Sequence, residues 1–250
     1  MSEDYARGVK GEIDQRPLRF YTDVATAEAE GGWVVKLDGR LLRTPGGLPL
    51  AAPTQALAEV VAGEWRGQGE RIDLASMFAT RLAHVALDRT PDTRAELIDE
   101  AARYAETDLV CHLAEGPAEL VGRQEAYWAP LRAWSAAALG VRLVPVTGIM
   151  APRQPAESFA AIRRHAGGLD DFRLTGLVYG VSLFGSAVLG LAVEQRRLTA
   201  AEAFEISRID EAFQASQWGV DAEAARRTER SRAEARTIDL WFDALAVGGA

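Results

Sequence analysis

The run Trp33-Val34-Val35-Lys36-Leu37-Asp38-Gly39-Arg40-Leu41-Leu42 decides how the chain begins to fold. Two apolar segments rich in strand-forming residues flank an Asp-Gly dipeptide, which supplies the two positive-φ positions of a two-residue hairpin turn. Residues 33–37 and 40–44 are therefore expected as paired strands. Upstream, Gly31-Gly32 marks another turn and places a preceding strand at 19–25. Downstream, Pro45-Gly46-Gly47 and Pro49 end regular pairing, and Pro53 stands where a first-turn proline opens a helix.

Beyond Pro53 the spacing of apolar residues becomes helical. Positions 57, 60, 61 and 65 form one buried stripe, and 78, 82, 85 and 86 form another, which predicts helices over 56–65 and 77–87. Further helices are expected from 92 towards 113, over 119–139 with Pro130 as a site of bending or interruption, over 155–165, 174–193, 199–218 and 221–246. Residues 141–149 read as a short extended segment. Thr199 with Glu202 fits a capping box, in which hydroxyl and carboxylate satisfy the helix-start amides reciprocally. The expected fold class is α+β: a flexible tail at 1–17, a small β-rich N-terminal domain at 18–52 and a larger, mainly α-helical domain at 53–250.

Composition narrows the function. The chain has 250 residues and a net charge of -8, a balance that disfavours a general nucleic-acid binder, which needs a basic face to neutralise phosphates. Arg226, Arg227, Arg230, Arg232 and Arg236 are interleaved with Glu223, Glu229, Glu234 and Asp239, the pattern of a solvated, ion-paired helix face. A single cysteine, Cys111, excludes an internal disulfide framework and a multi-cysteine zinc site, and fits a reducing compartment. Residues 1–15 carry Glu3, Asp4, Glu12 and Asp14 without an apolar core, unlike a secretory signal or an acid-poor transit peptide. Residues 174–193 carry no formal charge and are long enough to span a bilayer. Their glycines and hydroxyls, and flanks of mixed charge sign, instead fit the central helix of a bundle, where small residues let neighbours approach.

The usual chemical constellations are missing. Gly180-Val-Ser-Leu-Phe-Gly185 has one residue too many for a nucleophile elbow and lies inside an apolar helical run. Cys111 and His112 are adjacent, so on a helix their side chains diverge by about 100° and form no thiolate–imidazole pair. His84 and His165 lack metal-ligand spacing, and neither glycine cluster has the pattern of a phosphate loop. What stands out is 209–219, Ile-Asp-Glu-Ala-Phe-Gln-Ala-Ser-Gln-Trp-Gly. Helical spacing puts Ile209, Ala212, Phe213 and Ser216 on one side and Asp210, Gln214 and Gln217 on another, with Glu211 and Trp218 close together. Gly219 is a stop signal, and Asp221 a cap for the next helix.

The chain resembles the assembly chaperones of F-type ATP synthase that bind the α subunit before the catalytic head forms. The likeness rests on Trp33-Val-Val-Lys-Leu-Asp-Gly-Arg40 with Leu42-Arg-Thr-Pro45; Glu64-Trp65 with Gln68; Thr80-Arg-Leu-Ala83; Tyr104-Ala105 with Thr107-Asp-Leu109; Leu120-Val121 with Arg123-Gln124 and Trp128; and Asp210-Glu211 with Gln214, Trp218 and Gly219. Their shared order and spacing make the match specific. The resemblance implies an orthogonal C-terminal helical bundle, no catalytic turnover, no cofactor, no metal and no ATP hydrolysis. The implied partner is the free α subunit, whose β-facing surface the chaperone covers until assembly, with no nucleic acid and no membrane insertion; the protein itself is expected to be a monomer. Carried over as partner-binding residues are Glu211 in the lead, then Asp210, Gln214 and Trp218. The competing role for Asp210 and Glu211 is pairing with Arg208 or another arginine to orient the bundle. Arg40 and Arg43 are expected at the hairpin or a domain interface, and Arg81 and Asp108 as a pair within the bundle. The absence of an obvious transit peptide points to a bacterial cytoplasmic protein. The rival readings are a small-molecule enzyme with a site assembled from distant residues, and a membrane-associated protein anchored through 174–193.

Overall fold

The Asp-Gly turn forms as expected. Asp38 and Gly39 have φ of 47° and 75° and join β2 (Gly32–Leu37) to β3 (Arg40–Leu41) in antiparallel register, Leu37 opposite Arg40. The Asp38 carboxylate also accepts the backbone N–H groups of Thr22 and Asp23 at 3.0 and 2.8 Å, which anchors the incoming chain. The computed structural model describes residues 14–148, 152–219 and 221–247; residues 1–13 of the expected tail lie outside them.

The first strand lies later than the turn signals suggest. β1 (Val24–Ala29) pairs along the whole of β2, with Glu28 opposite Trp33, and the connecting turn falls at Glu30-Gly31. Its Val-Ala-Thr-Ala-Glu-Ala sequence has little strand preference of its own, so pairing with β2 sets its position. Residues 19–21 instead run beside the end of the first helix, where the Arg19 N–H donates to the Glu70 carbonyl at 2.8 Å. β4 (Ala51–Ala52) joins the other edge of β2.

α1 (Gln55–Arg66) is capped by Thr54, whose hydroxyl oxygen accepts the Leu57 N–H at 3.1 Å and whose O–H donates to the Ala244 carbonyl at 2.9 Å. Pro53 therefore sits just outside the helix. Leu57, Ala58, Val61, Ala62 and Trp65 form the buried stripe, which packs against β1, β2 and the last helix. α2 (Phe78–Asp88) and α3 (Thr90–Arg103) follow. The helix expected to reach 113 stops at Arg103; 3-10 turns carry the chain to β5 (His112–Leu113), which pairs in parallel with β6 (Val146–Thr147). α4 (Ala118–Leu139) runs through Pro130 as one helix and ends at Gly140 with φ 70°.

α5 (Ala156–Gly167) leads to the uncharged stretch, which is two helices: α6 (Asp171–Phe184) and α7 (Ala187–Glu194). Gly185 adopts φ 65°, and the Ser186 hydroxyl caps α7 by accepting the Leu189 N–H at 3.0 Å. Both helices are buried over most of their surface. Among the described residues no helix is long and apolar enough to cross a membrane. The two helices meet at Gly190, where a Cβ would lie 2.3 Å from Val181 Cγ2 and 3.0 Å from the Val181 backbone nitrogen. Gly190→Ala is therefore expected to destabilise the chain by about 3 kcal/mol, the upper part of the overpacking range, read as a lowered urea midpoint. An unchanged midpoint would mean that α6 and α7 can separate freely.

α8 (Ala200–Ser207) begins with the Thr199–Glu202 capping box. The expected helix over 199–218 divides at Arg208, with φ -107° and ψ 17°, into α8 and α9 (Ile209–Trp218). α10 (Ala222–Ala246) is capped by Asp221 and returns to α1, α2, α6 and α8. The result is an α+β chain in which a small N-terminal sheet precedes a larger helical part.

Candidate partner-binding surface

Most residues that carry the resemblance act inside the fold. Glu64 on α1 accepts the Ala79 and Thr80 N–H groups at 2.8 and 2.7 Å and the Thr80 hydroxyl at 2.7 Å, so a carboxylate of one helix caps the start of another. Burial pushes its carboxyl above the usual range, against these donors. Asp108 is fully buried and does the same for α7, accepting from Ser186 Oγ at 2.6 Å and the Val188 N–H at 3.1 Å. It does not pair with Arg81. That guanidinium lies on an exposed position of α2, over the Phe78 ring at 5.8 Å, while Asp108 is buried with its oxygens taken up by the start of α7. Trp128, fully buried on α4, donates its indole N–H to the Ile206 carbonyl at 3.1 Å.

Gln124 links this framework to α9. Its amide oxygen accepts the Ala114 N–H at 2.7 Å, and its amide nitrogen donates to Asp210 Oδ1 at 2.6 Å. Asp210 is thus half-buried and turned towards α4. Ile209 and Phe213 seat the helix in the core. Glu211, Gln214 and Trp218 project on the opposite side and are exposed. Glu211 pairs with Arg208 at 3.1 Å, and Trp218 is 80% exposed at the helix end, where Gly219 with φ 82° redirects the chain. The four residues singled out from sequence thus share one short helix but divide in role: one braces it, three face solvent.

Beside this helix lies a feature that the sequence did not reveal. A groove of about 900 Å³ runs between α4, α8, α9 and α10. Tyr127, Leu198, Ala201, Ile206, Ile209 and Ala212 supply its apolar lining. Arg232, on its rim, pairs with Glu205 at 2.7 Å and with Glu229 at 2.8 Å; these carboxylates push its guanidinium further up. Ala201, Ile206, Ile209 and Ala212 come from two helices that the sequence pattern reads as one, while Tyr127 is added by α4 and Leu198 by the turn before α8. Recognising the break at Arg208 was the missing step.

Neither groove nor helix carries a nucleophile–base pair. Cys111 is buried, and its thiol is pushed up to about 12 by burial and then by the nearby Asp108 charge, which leaves it unreactive. Burial lowers His84, whose Nε2 has no hydrogen-bond partner. Among the described residues no group of three or more His, Cys, Asp or Glu side chains is placed to hold a metal.

Comparison with known proteins gives a concordant picture. Residues 18–136 match the family model of the ATP12 chaperone protein. The chain is 26% identical over 213 residues to the mitochondrial protein atp12 of Schizosaccharomyces pombe, covering 80% of this chain and 73% of that protein. Its structure resembles that of Atp12 from Paracoccus denitrificans, with a TM-score of 0.81, 39% identity and coverage of 90% of this chain and 98% of that one. The Atu1473 protein of Agrobacterium tumefaciens is similar with a TM-score of 0.85 and 38% identity, over 92% of this chain and 86% of that one. The apolar framework, the carboxylates that hold its helices and the full-length likeness agree: the chain belongs to the ATP12 family of ATP synthase assembly chaperones.

Proposed function

We propose that this protein binds the unassembled α subunit of F-type ATP synthase, without catalytic turnover, and covers a surface that later meets the β subunit. The observation that carries this reading is Trp218, a large aromatic side chain held 80% exposed at the end of α9, on the helix face that also carries Glu211. Buried aromatic anchors dominate protein interfaces, and a neighbouring carboxylate adds selectivity for a basic edge. The adjoining groove extends the same surface with apolar contacts. Its charged rim groups neutralise one another, which suits a partner's side chains better than a small charged substrate. Glu211, Gln214 and Trp218 touch the client in this proposal, and Asp210 holds their helix in place through Gln124.

Such a holder must favour the free α subunit over the assembled one, so that the β subunit displaces it. The proposal includes a bacterial, cytoplasmic setting and a monomeric free chaperone. Size-exclusion chromatography of the purified chain with free α subunit tests it. A stable complex at micromolar concentration, lost on adding the β subunit, is the expected result; no complex under those conditions sinks the reading.

A further inference from the structure

Another exposed aromatic lies in the N-terminal part of the chain. Phe20 is 72% exposed, whereas its neighbour Tyr21 is buried at 3%. Phe20 meets Tyr21 edge to face at 5.3 Å, and Tyr21 meets Trp65 at 5.6 Å, so three aromatic rings lead from solvent into the core. They form one side of a cleft of about 630 Å³, with Leu37 and Leu42 also lining it and Leu41, 41% exposed, at its edge. This cleft is distinct from the α9 surface, with which it shares no residue.

The rim of the cleft asks for an occupant with carboxylates. That rim is cationic. Arg40 and Arg43 form no ion pair among the described residues, and Arg43 donates to the Gly47 carbonyl at 2.7 Å. Arg19 lies over the Tyr21 ring at 4.7 Å and donates to the carbonyls of Tyr21 and Gln68. The carboxylate in the lining, Asp38, accepts from Thr22 and Asp23 and offsets part of the Arg40 charge, which leaves the rim net positive. Elsewhere in this acidic chain many arginines are neutralised by carboxylates, as along α10.

We propose that this cleft is a second docking site, and that its occupant is an acidic peptide segment of a partner protein carrying apolar side chains between its carboxylates. The apolar side chains lie against Phe20 and Leu41, and the carboxylates meet Arg40 and Arg43. Charge-assisted contacts of this kind favour carboxylates and discriminate against lysine-bearing sequences.

The test uses the full chain and a fluorescein-labelled peptide, Gly-Asp-Leu-Glu-Phe-Asp-Leu-Gly, beside a counterpart with lysine at each acidic position. Fluorescence anisotropy should show saturable binding of the acidic probe and none of the basic one. Arg40→Glu combined with Arg43→Glu should weaken binding at least tenfold with unfolding unchanged, since both side chains are exposed, while Glu211→Lys should leave it intact. Equal binding of both peptides, no saturable binding of the acidic one, or retention of affinity in the double variant overturns the proposal. Each of these outcomes is independent of whether the α subunit binds at α9.

Discussion

Asp108→Ala is expected to lower stability by about 3 kcal/mol, because it leaves the Ser186 hydroxyl and the Val188 N–H buried without their acceptor. It also empties a fully buried position at the junction between the 3-10 turns and α7. Urea unfolding at pH 7 measures the loss; a change below about 1 kcal/mol would show that water replaces the carboxylate without cost. The same group gives a pH signature. Burial pushes the Asp108 carboxyl up to about 6, and the donors from Ser186, Val188 and Val110 offset only part of that. The folded chain therefore holds this proton more tightly than the unfolded one. Its contribution to stability is greatest below the ordinary carboxylate value and is lost as pH rises through about 6. Compared with Asp108→Asn, which cannot titrate, the wild-type chain should lose relative stability between pH 4 and pH 7. A pH-independent difference would refute the shift, since every other titrating group is common to both.

Replacing Glu211 by lysine or Trp218 by alanine should weaken α-subunit binding by about 30- to 100-fold, the loss of roughly 2–3 kcal/mol typical of an interface anchor. Folding should hardly respond. Glu211 gives up only an exposed pair with Arg208 at 3.1 Å, worth about 0–1 kcal/mol, and Trp218 is mostly in water. Titration calorimetry alongside thermal unfolding separates the outcomes. Equal losses in both would make α9 a structural brace; intact binding in both variants would remove this helix from the interface. Asp210→Ala is the contrasting variant, since it breaks the bond from Gln124 and so disturbs the helix from behind.

The parts of the fold legible in the sequence are those whose causes are local. Asp38-Gly39 needs only its own two positive φ angles, and the Thr199–Glu202 box and the Asp221 cap act within a few residues. The first strand was misplaced because 24–29 becomes a strand only through β2. The long helices expected over 92–113, 174–193 and 199–218 each break, and the first two breaks meet at Asp108, which reaches from the turns after α3 to the start of α7. That contact joins residues 78 and 80 positions apart, so no window of neighbouring residues contains it. The same distance hid the groove beside α9 and the division of labour between Asp210 and Glu211. Helical spacing places both on one helix but says nothing of Gln124 on α4.

Glu64, Asp108 and Asp239 each hold the start of a helix to which they do not belong: α2, α7 and α8, the last through the Ala200 and Ala201 N–H groups. An ordinary cap arrives with its own helix and can form early in folding. These cannot, because the Ala79, Thr80, Val188, Ala200 and Ala201 N–H groups lack these carboxylates until a distant segment has docked, even where Ser186 or Thr199 caps another amide of the same helix start. The helical part should consequently resist piecemeal opening: fraying α7 alone would expose both its amides and the buried carboxylate that serves them. For an ATP synthase assembly chaperone, this coupling keeps its own interior from becoming an adhesive surface.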